Sequence, residues 1–236
     1  MDERRRYSRN IMLPEIGEDG QHRLSGASVL IMGCGALGSV AAMYLAASGI
    51  GTIGLVDFDT IDVSNLQRQL SFTTGDVGYK KTEVLGQRLK SVNPGVEVKE
   101  YDVFLNPTSA ARLIPQYDFI IEGSDNPDTK YMIDKVCREL GVPYTLGGIF
   151  GTVGQVFTWT QGNAGYADIF PEKVGEGGFT PCSLGGVLGP LPGIIASIQA
   201  SETIKYIVGF GELLTNRVLL VNASSMNFTQ ITVNDY

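Results

Sequence analysis

The stretch Gly33-Cys34-Gly35-Ala36-Leu37-Gly38 constrains this chain more than any other feature of its sequence. It follows a compact apolar run at 28–32 and opens a segment at 37–48 whose apolar residues recur at helical spacing. A GxGxxG pattern between a strand and a helix is typical of a phosphate-binding turn. Its glycines allow a tight turn, close approach of a phosphate, and close packing of helix on strand. The N-terminus of the following helix also favours an anion.

Strand and helix patterns alternate along the rest of the chain. We predict a short charged helix at 2–10, helices at 80–91, 107–113, 127–140 and 193–209, and strands at 53–57, 96–103, 117–123, twice within 143–160 and twice within 217–233. Such alternation indicates an α/β fold, a doubly wound Rossmann-like sheet that is mostly parallel and has helices on both faces. We expect the C-terminal strands to lie antiparallel at one edge.

Residues 171–193 interrupt this alternation with seven glycines and four prolines. That composition excludes a long regular element, and a loop of this length inside a compact domain is usually functional. The sequence offers no clear linker elsewhere, so we interpret residues 1–236 as a single domain with 171–193 as a flexible crossover loop.

Composition excludes several classes of protein. The net charge of −7 and pI of about 4.8 argue against nucleic acid as a main partner, since phosphate contacts need a basic face. No apolar run is long enough to span a membrane, and residues 1–10 do not resemble a signal peptide. The widely spaced Cys34, Cys137 and Cys182 suggest a reducing compartment without a disulfide framework. We therefore expect a cytoplasmic protein with no membrane partner.

The residues after the second predicted strand indicate which nucleotide is bound. Asp57 lies 19 residues beyond Gly38, where an acid can accept hydrogen bonds from ribose hydroxyls. Asn65, Arg68, Gln69 and Lys81 follow, and two cations with amide donors suit a triphosphate. Two other interpretations remain: a solvated polar loop, and a nicotinamide cofactor, which would leave these cations without a role.

These residues also carry a family resemblance. The segments RYSRNIMLPEIG, DFDTIDVSNLQRQ, GYKK and GSDN, with the glycine turn and the loop before the last long helix, resemble the ubiquitin-activating-like adenylyltransferases of the ThiF/MoeB/HesA family over nearly the whole chain. The resemblance implies a homodimer that binds ATP and Mg²⁺ at the carboxyl ends of the strands. It implies adenylation of the C-terminal glycine of a small ubiquitin-like sulfur carrier (ThiS/MoaD-like, with a Gly-Gly terminus), with release of pyrophosphate, for thiamine or molybdopterin biosynthesis.

The resemblance assigns roles to individual residues. Asp57 would hold the ribose, Arg68 and Lys81 would act on the phosphates, and Asp125 would bind Mg²⁺. The remaining nucleotide-binding positions would be Gly33, Gly35, Ala36, Gly38, Ser64, Asn65, Leu66, Gln67 and Asn126. Arg9 would reach into the neighbouring subunit's site. Without the resemblance, Arg9 is one of four arginines in a charged helix, and a solvated face is the better explanation.

Two of these assignments compete with plainer interpretations. Asp125 follows a predicted buried strand, where open α/β sheets bind ligands, and Ser-Asp-Asn residues are also good helix caps. We favour metal binding for Asp125 and capping for Asn126. Cys182, in FTPCSLGG, resembles a family cysteine that attacks the acyl-adenylate or transfers sulfur. A small buried side chain explains Cys182 equally well.

The chain departs from the family at the structural zinc site that many members hold with two CxxC pairs. Gly165-Tyr166-Ala167-Asp168 occupies the first pair's position, and no cysteine follows Cys182. Three distant cysteines and the single His22 cannot form the site, so we predict no structural zinc. As a replacement for the metal we predict packing of Tyr166, Phe170, Met226 and Phe228.

Two alternative functions remain open at this level. An NAD-dependent Rossmann oxidoreductase shares the glycine turn and Asp57 but needs a substrate domain that the sequence does not show. A non-catalytic relative would bind nucleotide or a ubiquitin-like protein without turnover. The sequence does not distinguish a thiamine-pathway carrier from a molybdopterin-pathway carrier.

Overall fold

The computed structural model describes residues 3–171 and 186–233. Its strands are β1 (Ser28–Met32), β2 (Thr52–Val56), β3 (Glu97–Tyr101), β4 (Phe119–Glu122), β5 (Tyr144–Phe150), β6 (Val153–Trp159), β7 (Arg217–Asn222) and β8 (Asn227–Thr232). They form one sheet in the spatial order β3-β2-β1-β4-β5-β6-β7-β8. Neighbours from β3 to β5 pair in parallel, and neighbours from β5 to β8 pair antiparallel. The predicted α/β class and the antiparallel C-terminal edge are therefore confirmed.

Helices cover both faces of this sheet. They are α1 (Glu3–Arg6), α2 (Ser8–Ile11), α3 (Gly17–Gly26), α4 (Gly38–Ser48), α5 (Lys81–Val92), α6 (Pro107–Leu113), α7 (Pro127–Leu140), α8 (Tyr166–Ile169) and α9 (Leu191–Val208). Side chains alternate along β1, so Val29 packs in one apolar cluster with α4, α5 and α9, and Leu30 packs in a second with α6 and α7. The two clusters form the core on opposite sides of the sheet.

The chain reverses direction across the sheet next to β1. From β1 it runs outward to β2 and β3, and it then crosses to β4 on the other side of β1. Open α/β sheets bind ligands at such a switch point, in the crevice beyond the carboxyl ends of the two diverging strands. Gly33 follows β1 there and Gly123 follows β4. This crevice is where the fold should hold its functional site.

Most predicted elements lie within two residues of their observed bounds. The strand at 28–32 and the helices at 107–113 and 127–140 match fully, and Gly49 ends α4 with a left-handed backbone, φ 90°. The charged helix predicted at 2–10 is instead two short helices, α1 and α2. The last long helix starts at Leu191, so the end of the predicted 171–193 loop is helical. Helices α3 and α8 were not predicted from the sequence.

In the segment that corresponds to the family's zinc site, only two of the four side chains predicted to pack do so. Tyr166 is buried and its ring packs 5.1 Å from that of Phe170, as expected. Met226 and Phe228, however, lie on the exposed edge hairpin of β7 and β8, with 64% and 53% of their surface exposed. The predicted contribution of these two side chains is therefore wrong, because both are exposed, on β8 and in the turn that precedes it.

The described residues lack two features that bear on membrane and metal binding. None of their helices combines the length and the apolar character that crossing a bilayer requires. Residues 3–171 and 186–233 contain no group of three or more His, Cys, Asp or Glu side chains placed to hold a metal ion.

Candidate active site

The glycine turn after β1 has the backbone geometry that the sequence predicts. Gly33 has a positive φ of 84°, which favours glycine, and its N–H continues the strand ladder to Val56 O at 2.9 Å. A Cβ on Gly38 would lie 1.9 Å from the Gly33 carbonyl oxygen, so only glycine lets α4 start this close to β1. Gly35 and Ala36 face the cavity, whereas Gly38 packs behind them.

Asp57 lies directly beyond β2 and is held by the glycine turn. Its Oδ2 accepts a hydrogen bond from the Cys34 N–H at 2.7 Å, and its Oδ1 accepts one from the Asp59 N–H at 2.9 Å. Burial raises the pKa of Asp57, and the Lys81 ammonium and these N–H groups partly oppose that rise. The carboxylate is fixed in orientation and faces the cavity.

The polar loop after Asp57 contributes its residues unequally. Arg68 is half-buried, lines the cavity, and donates from Nη1 to the Ser64 carbonyl oxygen at 3.0 Å. The Asn65 side-chain oxygen accepts from the Asp62 N–H at 3.1 Å, in the cap of a short 3₁₀ turn. Leu66 packs against the core. The loop therefore presents Arg68 to the cavity and uses Asn65 and Leu66 to hold its own shape.

Lys81 is the first residue of α5 and is almost fully buried at the cavity wall. Its ammonium lies 2.7 Å from Asp59 Oδ2. The neighbouring Lys80 points elsewhere, to the Phe58 carbonyl oxygen at 3.1 Å and to Asp102 at 3.0 Å. Of the adjacent pair, Lys81 is thus the lysine that faces the cavity, as the family resemblance implies.

The loop after β4 forms the opposite wall of the cavity. The exposed Asp125 lines it, beside Ser124 and Asn126. The Asn126 side-chain oxygen accepts from the Asp128 N–H at 2.9 Å and so caps α7, as predicted, which leaves the Asp125 carboxylate outside the cap. A Cβ on Gly123 would lie 3.0 Å from the Gly38 nitrogen. This loop therefore packs directly against the glycine turn.

These walls enclose a cavity of about 710 Å³ at the switch point, within the size range of ligand sites. The structure brings together ten predicted residues: Gly33, Gly35, Ala36, Asp57, Ser64, Gln67, Arg68, Lys81, Asp125 and Asn126. Arg9 does not line the cavity and lies exposed on α2, 3.9 Å from Met12 Sδ. Cys182 lies outside the residues that the structure describes.

Phe58, Phe104 and Lys130 also line the cavity and were not predicted. Phe58 and Phe104 meet edge to face at 5.3 Å, and both are more than half exposed at the rim. Gln69 is buried, and its side-chain oxygen has no hydrogen-bond partner among the described residues. Lys130, from α7, is also buried there. Gln69 belongs to the amide donors predicted from the sequence, whereas nothing local distinguishes Phe58, Phe104 and Lys130 from surface residues.

Neither described cysteine has a reactive environment. Burial raises the pKa of both the Cys34 and the Cys137 thiols, which keeps them in the unreactive protonated form. Cys34 contributes its backbone N–H to Asp57, and its side chain packs in the core. Both side chains therefore serve as packing residues of the core.

A doubly wound sheet, a glycine turn, a ribose-type acid and phosphate-type cations at one switch point define a Rossmann-like nucleotide-binding domain. Sequence comparison identifies the family to which this domain belongs. The chain belongs to the ThiF family, whose sequence profile matches residues 7–236.

Individual relatives agree with this membership. A probable adenylyltransferase/sulfurtransferase of Mycobacterium tuberculosis, MoeZ, is 40% identical over 97% of this chain and 59% of its own. The chain thus spans about three fifths of that relative's length. A sulfur carrier protein adenylyltransferase of Thermus thermophilus is 38% identical over 97% of this chain and 86% of its own. The crystal structure of E. coli MccB with ATP superposes with a TM-score of 0.83, at 28% identity, over 97% of this chain and 71% of that one.

Proposed function

We propose that this chain adenylates the C-terminal glycine carboxylate of a small ubiquitin-like sulfur-carrier protein, using ATP and releasing pyrophosphate. The observation that carries the proposal is the convergence of Asp57, Arg68 and Lys81 on one cavity at the switch point. The similarity to adenylyltransferases of sulfur carriers supports the choice of substrate. A carrier with a Gly-Gly terminus, from thiamine or molybdopterin biosynthesis, fits this proposal.

The reaction asks the protein mainly to align two anions and neutralise their charge. A carboxylate oxygen of the carrier attacks the α-phosphorus of ATP, a new P–O bond forms, and the bond to pyrophosphate breaks. Asp57 would orient the ribose, while Arg68 and Lys81 would face the phosphates. Preorganised cations at a site of developing negative charge lower the barrier without a covalent intermediate.

Asp125 is the residue that we assign to Mg²⁺. Mg²⁺ usually keeps several waters and binds through one or two carboxylates together with substrate phosphates, so one free carboxylate at the cavity fits it better than a closed cluster of ligands. Asp125 lines the cavity and does not cap α7. When bound, the ion would neutralise charge on the phosphates. Asp125 would hold it on the side of the cavity opposite Lys81.

Two further assignments extend beyond the described cavity. The homodimer would bring Arg9 to the phosphates of the neighbouring subunit, and the exposed Met12 and Leu13 beside it suit an interface. Cys182 would attack the acyl-adenylate or take part in sulfur transfer, or serve as a small packing residue.

The test of the proposed function is carrier-dependent exchange of pyrophosphate into ATP. We expect Arg68→Ala to slow this exchange by about 10²–10³-fold, the usual effect of losing one preorganised electrostatic donor. Arg112→Ala is the matched control, because Arg112 is exposed on α6 outside the cavity and should leave the rate unchanged. Near-normal exchange in Arg68→Ala would contradict the assignment of Arg68.

The same preparation separates the alternative functions. An NAD-dependent oxidoreductase would bind NAD in preference to Mg²⁺–ATP. A non-catalytic relative would bind ATP or the carrier but release no pyrophosphate when both are present. Asp57 alone serves either nucleotide, whereas Arg68 and Lys81 have a clear role only with a triphosphate.

A further inference from the structure

A buried charged network lies beneath the wall of the cavity that carries Asp125. Glu122, the last residue of β4, is fully buried, and its Oε2 lies 2.5 Å from the ammonium of Lys130 on α7. Lys130 also donates to the carbonyl oxygens of Ser124 at 2.7 Å and of Gly147 at 2.8 Å. One ammonium thus joins the end of β4, the loop after it, helix α7 and strand β5.

The hydrogen-bond donors of Lys130 are all used within this network. A lysine ammonium has three N–H donors, and Lys130 directs them to Glu122, Ser124 and Gly147. The other oxygen of Glu122 accepts both the N–H and the hydroxyl of Ser124. Lys130 therefore has no donor left for a phosphate, although it lines the cavity. Its position excludes a direct contact with substrate unless the network opens.

The network holds one residue of the loop from three sides. The N–H, hydroxyl and carbonyl groups of Ser124 are all bound to Glu122 or Lys130. Ser124 directly precedes Asp125, and the following residue, Asn126, is fixed as the cap of α7. The backbone on each side of Asp125 is thereby clamped, while its carboxylate stays exposed to the cavity.

A contribution to the stability of the fold does not by itself explain why Glu122 and Lys130 are buried as an ion pair. A buried ion pair costs desolvation that a well-packed apolar pair of similar volume avoids, so such a pair is weak evidence of a stabilising role. The contacts of Lys130 to two loop and strand carbonyls, however, cannot be made by an apolar side chain. These two hydrogen bonds fix the position of the loop after β4 relative to strand β5.

We infer that Lys130 and Glu122 are positioning residues that hold the Asp125 carboxylate ready for the metal ion of the nucleotide. The inference rests on the proposed function only in taking Mg²⁺–ATP as the ligand. Residues outside the coordination sphere commonly act in this way, and their loss costs about 10–100-fold in metal affinity.

The test compares ATP binding with Mg²⁺ and with EDTA, by calorimetry, in wild type and Lys130→Met. We expect the Mg²⁺-dependent gain in ATP affinity to fall by about 10–100-fold in the variant, while affinity in EDTA stays unchanged. Amide hydrogen exchange in residues 123–126 should accelerate without any ligand. Lys135→Met, at an exposed position on the same helix, is the matched control and should behave as wild type.

A second pair of variants separates positioning from folding. Lys130→Met/Glu122→Gln removes the buried unpaired carboxylate, so thermal stability should recover relative to Lys130→Met while the Mg²⁺ effect stays lost. Ser124→Ala removes one hydroxyl contact and should give a smaller loss of the same kind. An intact Mg²⁺ effect in folded Lys130→Met, or its recovery together with stability in the double variant, would overturn the inference. If wild type binds Mg²⁺–ATP without carrier-dependent exchange, only the proposed function fails, and the binding data still decide this inference.

Discussion

Asp57 is subject to two opposing requirements. A carboxylate accepts ribose hydroxyl bonds best when ionised, yet burial raises the pKa of Asp57 above the ordinary value of 3.8. If Asp57 accepts the ribose hydroxyls as proposed, binding is strongest above the raised pKa and is lost as pH falls through it. Adenosine is the ligand for this test because it has no phosphate to titrate. We expect its affinity to weaken on acidification, at a higher pH than if Asp57 had the pKa of an ordinary aspartate. Titrations followed by ligand-detected NMR, at a series of pH values from 7 downwards, measure the affinity for adenosine.

Two variants check that Asp57 causes the effect. Asp57→Asn should bind adenosine weakly at pH 7 and show little further change on acidification, because the titrating group is gone. Glu83→Gln, which changes an exposed acid on α5, should keep the wild-type profile. A wild-type affinity that is constant down to the ordinary aspartate range would refute the role of the raised pKa.

At the residue level, the sequence predicts side chains that belong to a linear pattern. Asp57, Arg68 and Lys81 follow the glycine turn at recognisable spacings, and all three reach the cavity. Lys130 escapes prediction because its burial depends on contacts from β4 and β5, which are distant in sequence. A lysine within PDTKYMIDK has the pattern of a solvated helix face.

At the level of elements, the short helix α8 depends on one buried carboxylate of α7. Asp134 accepts from the Tyr144 hydroxyl at 2.5 Å and from the Tyr166 and Ala167 N–H groups at 2.9 and 3.1 Å. Burial and the neighbouring Asp134 raise the pKa of Tyr144, which keeps its hydroxyl protonated as a donor. These bonds fasten the segment that occupies the position of the family's first zinc-ligand pair.

We therefore expect Asp134→Asn to destabilise the fold. The amide nitrogen would face the Ala167 N–H or the Tyr166 N–H, and an unsatisfied buried donor costs about 1–3 kcal/mol. The free energy of unfolding from urea denaturation measures the loss. Glu139→Gln, at an exposed position on the same helix, should change it by less than about 0.5 kcal/mol. Equal stability of Asp134→Asn and wild type would mean that packing alone holds α8.

The elements differ in how far sequence predicts them. Helix α7 is bounded by Asn126-Pro127 and by Gly141, which are strong start and stop signals, and its bounds were predicted correctly. Helix α8 has four residues, too few for a periodic pattern, and depends on Asp134 from another element. Local start and stop signals thus predict α6 and α7, whereas α8 depends on contacts from another element.

At the scale of the whole molecule, alternation predicts a parallel sheet but does not give the order of its strands. The order places β1 between β2 and β4, which creates the crevice. Pairing of β1 with β4 joins residues about 90 positions apart, as in the contact of Ser28 with Asp118. Such distant pairing leaves no local trace in the sequence. The glycine turn predicts where the ligand site begins, and the order of strands determines which loop faces it.

The assembly of two chains gives the last prediction. If Arg9 completes the neighbouring subunit's site, the homodimers of Arg9→Ala and of Arg68→Ala should each be inactive. Mixing the two variants so that one subunit of each forms a dimer should restore activity. In the mixed dimer, one site has its own Arg68 and its neighbour's Arg9, and the other has neither. Random pairing makes half of the dimers mixed, so equal amounts should recover about a quarter of the wild-type exchange rate.

The control is the same mixture prepared from homodimers that were chemically cross-linked before mixing. These dimers cannot exchange subunits, so the mixture should stay inactive. Sizing of wild type by light scattering establishes whether a dimer forms. Because Arg9 lies exposed on α2 and does not line the cavity of its own chain, a contribution from the same subunit would require α2 to leave its packing on α3. Failure to recover activity in a confirmed mixed dimer would therefore return Arg9 to the role of a solvated surface residue.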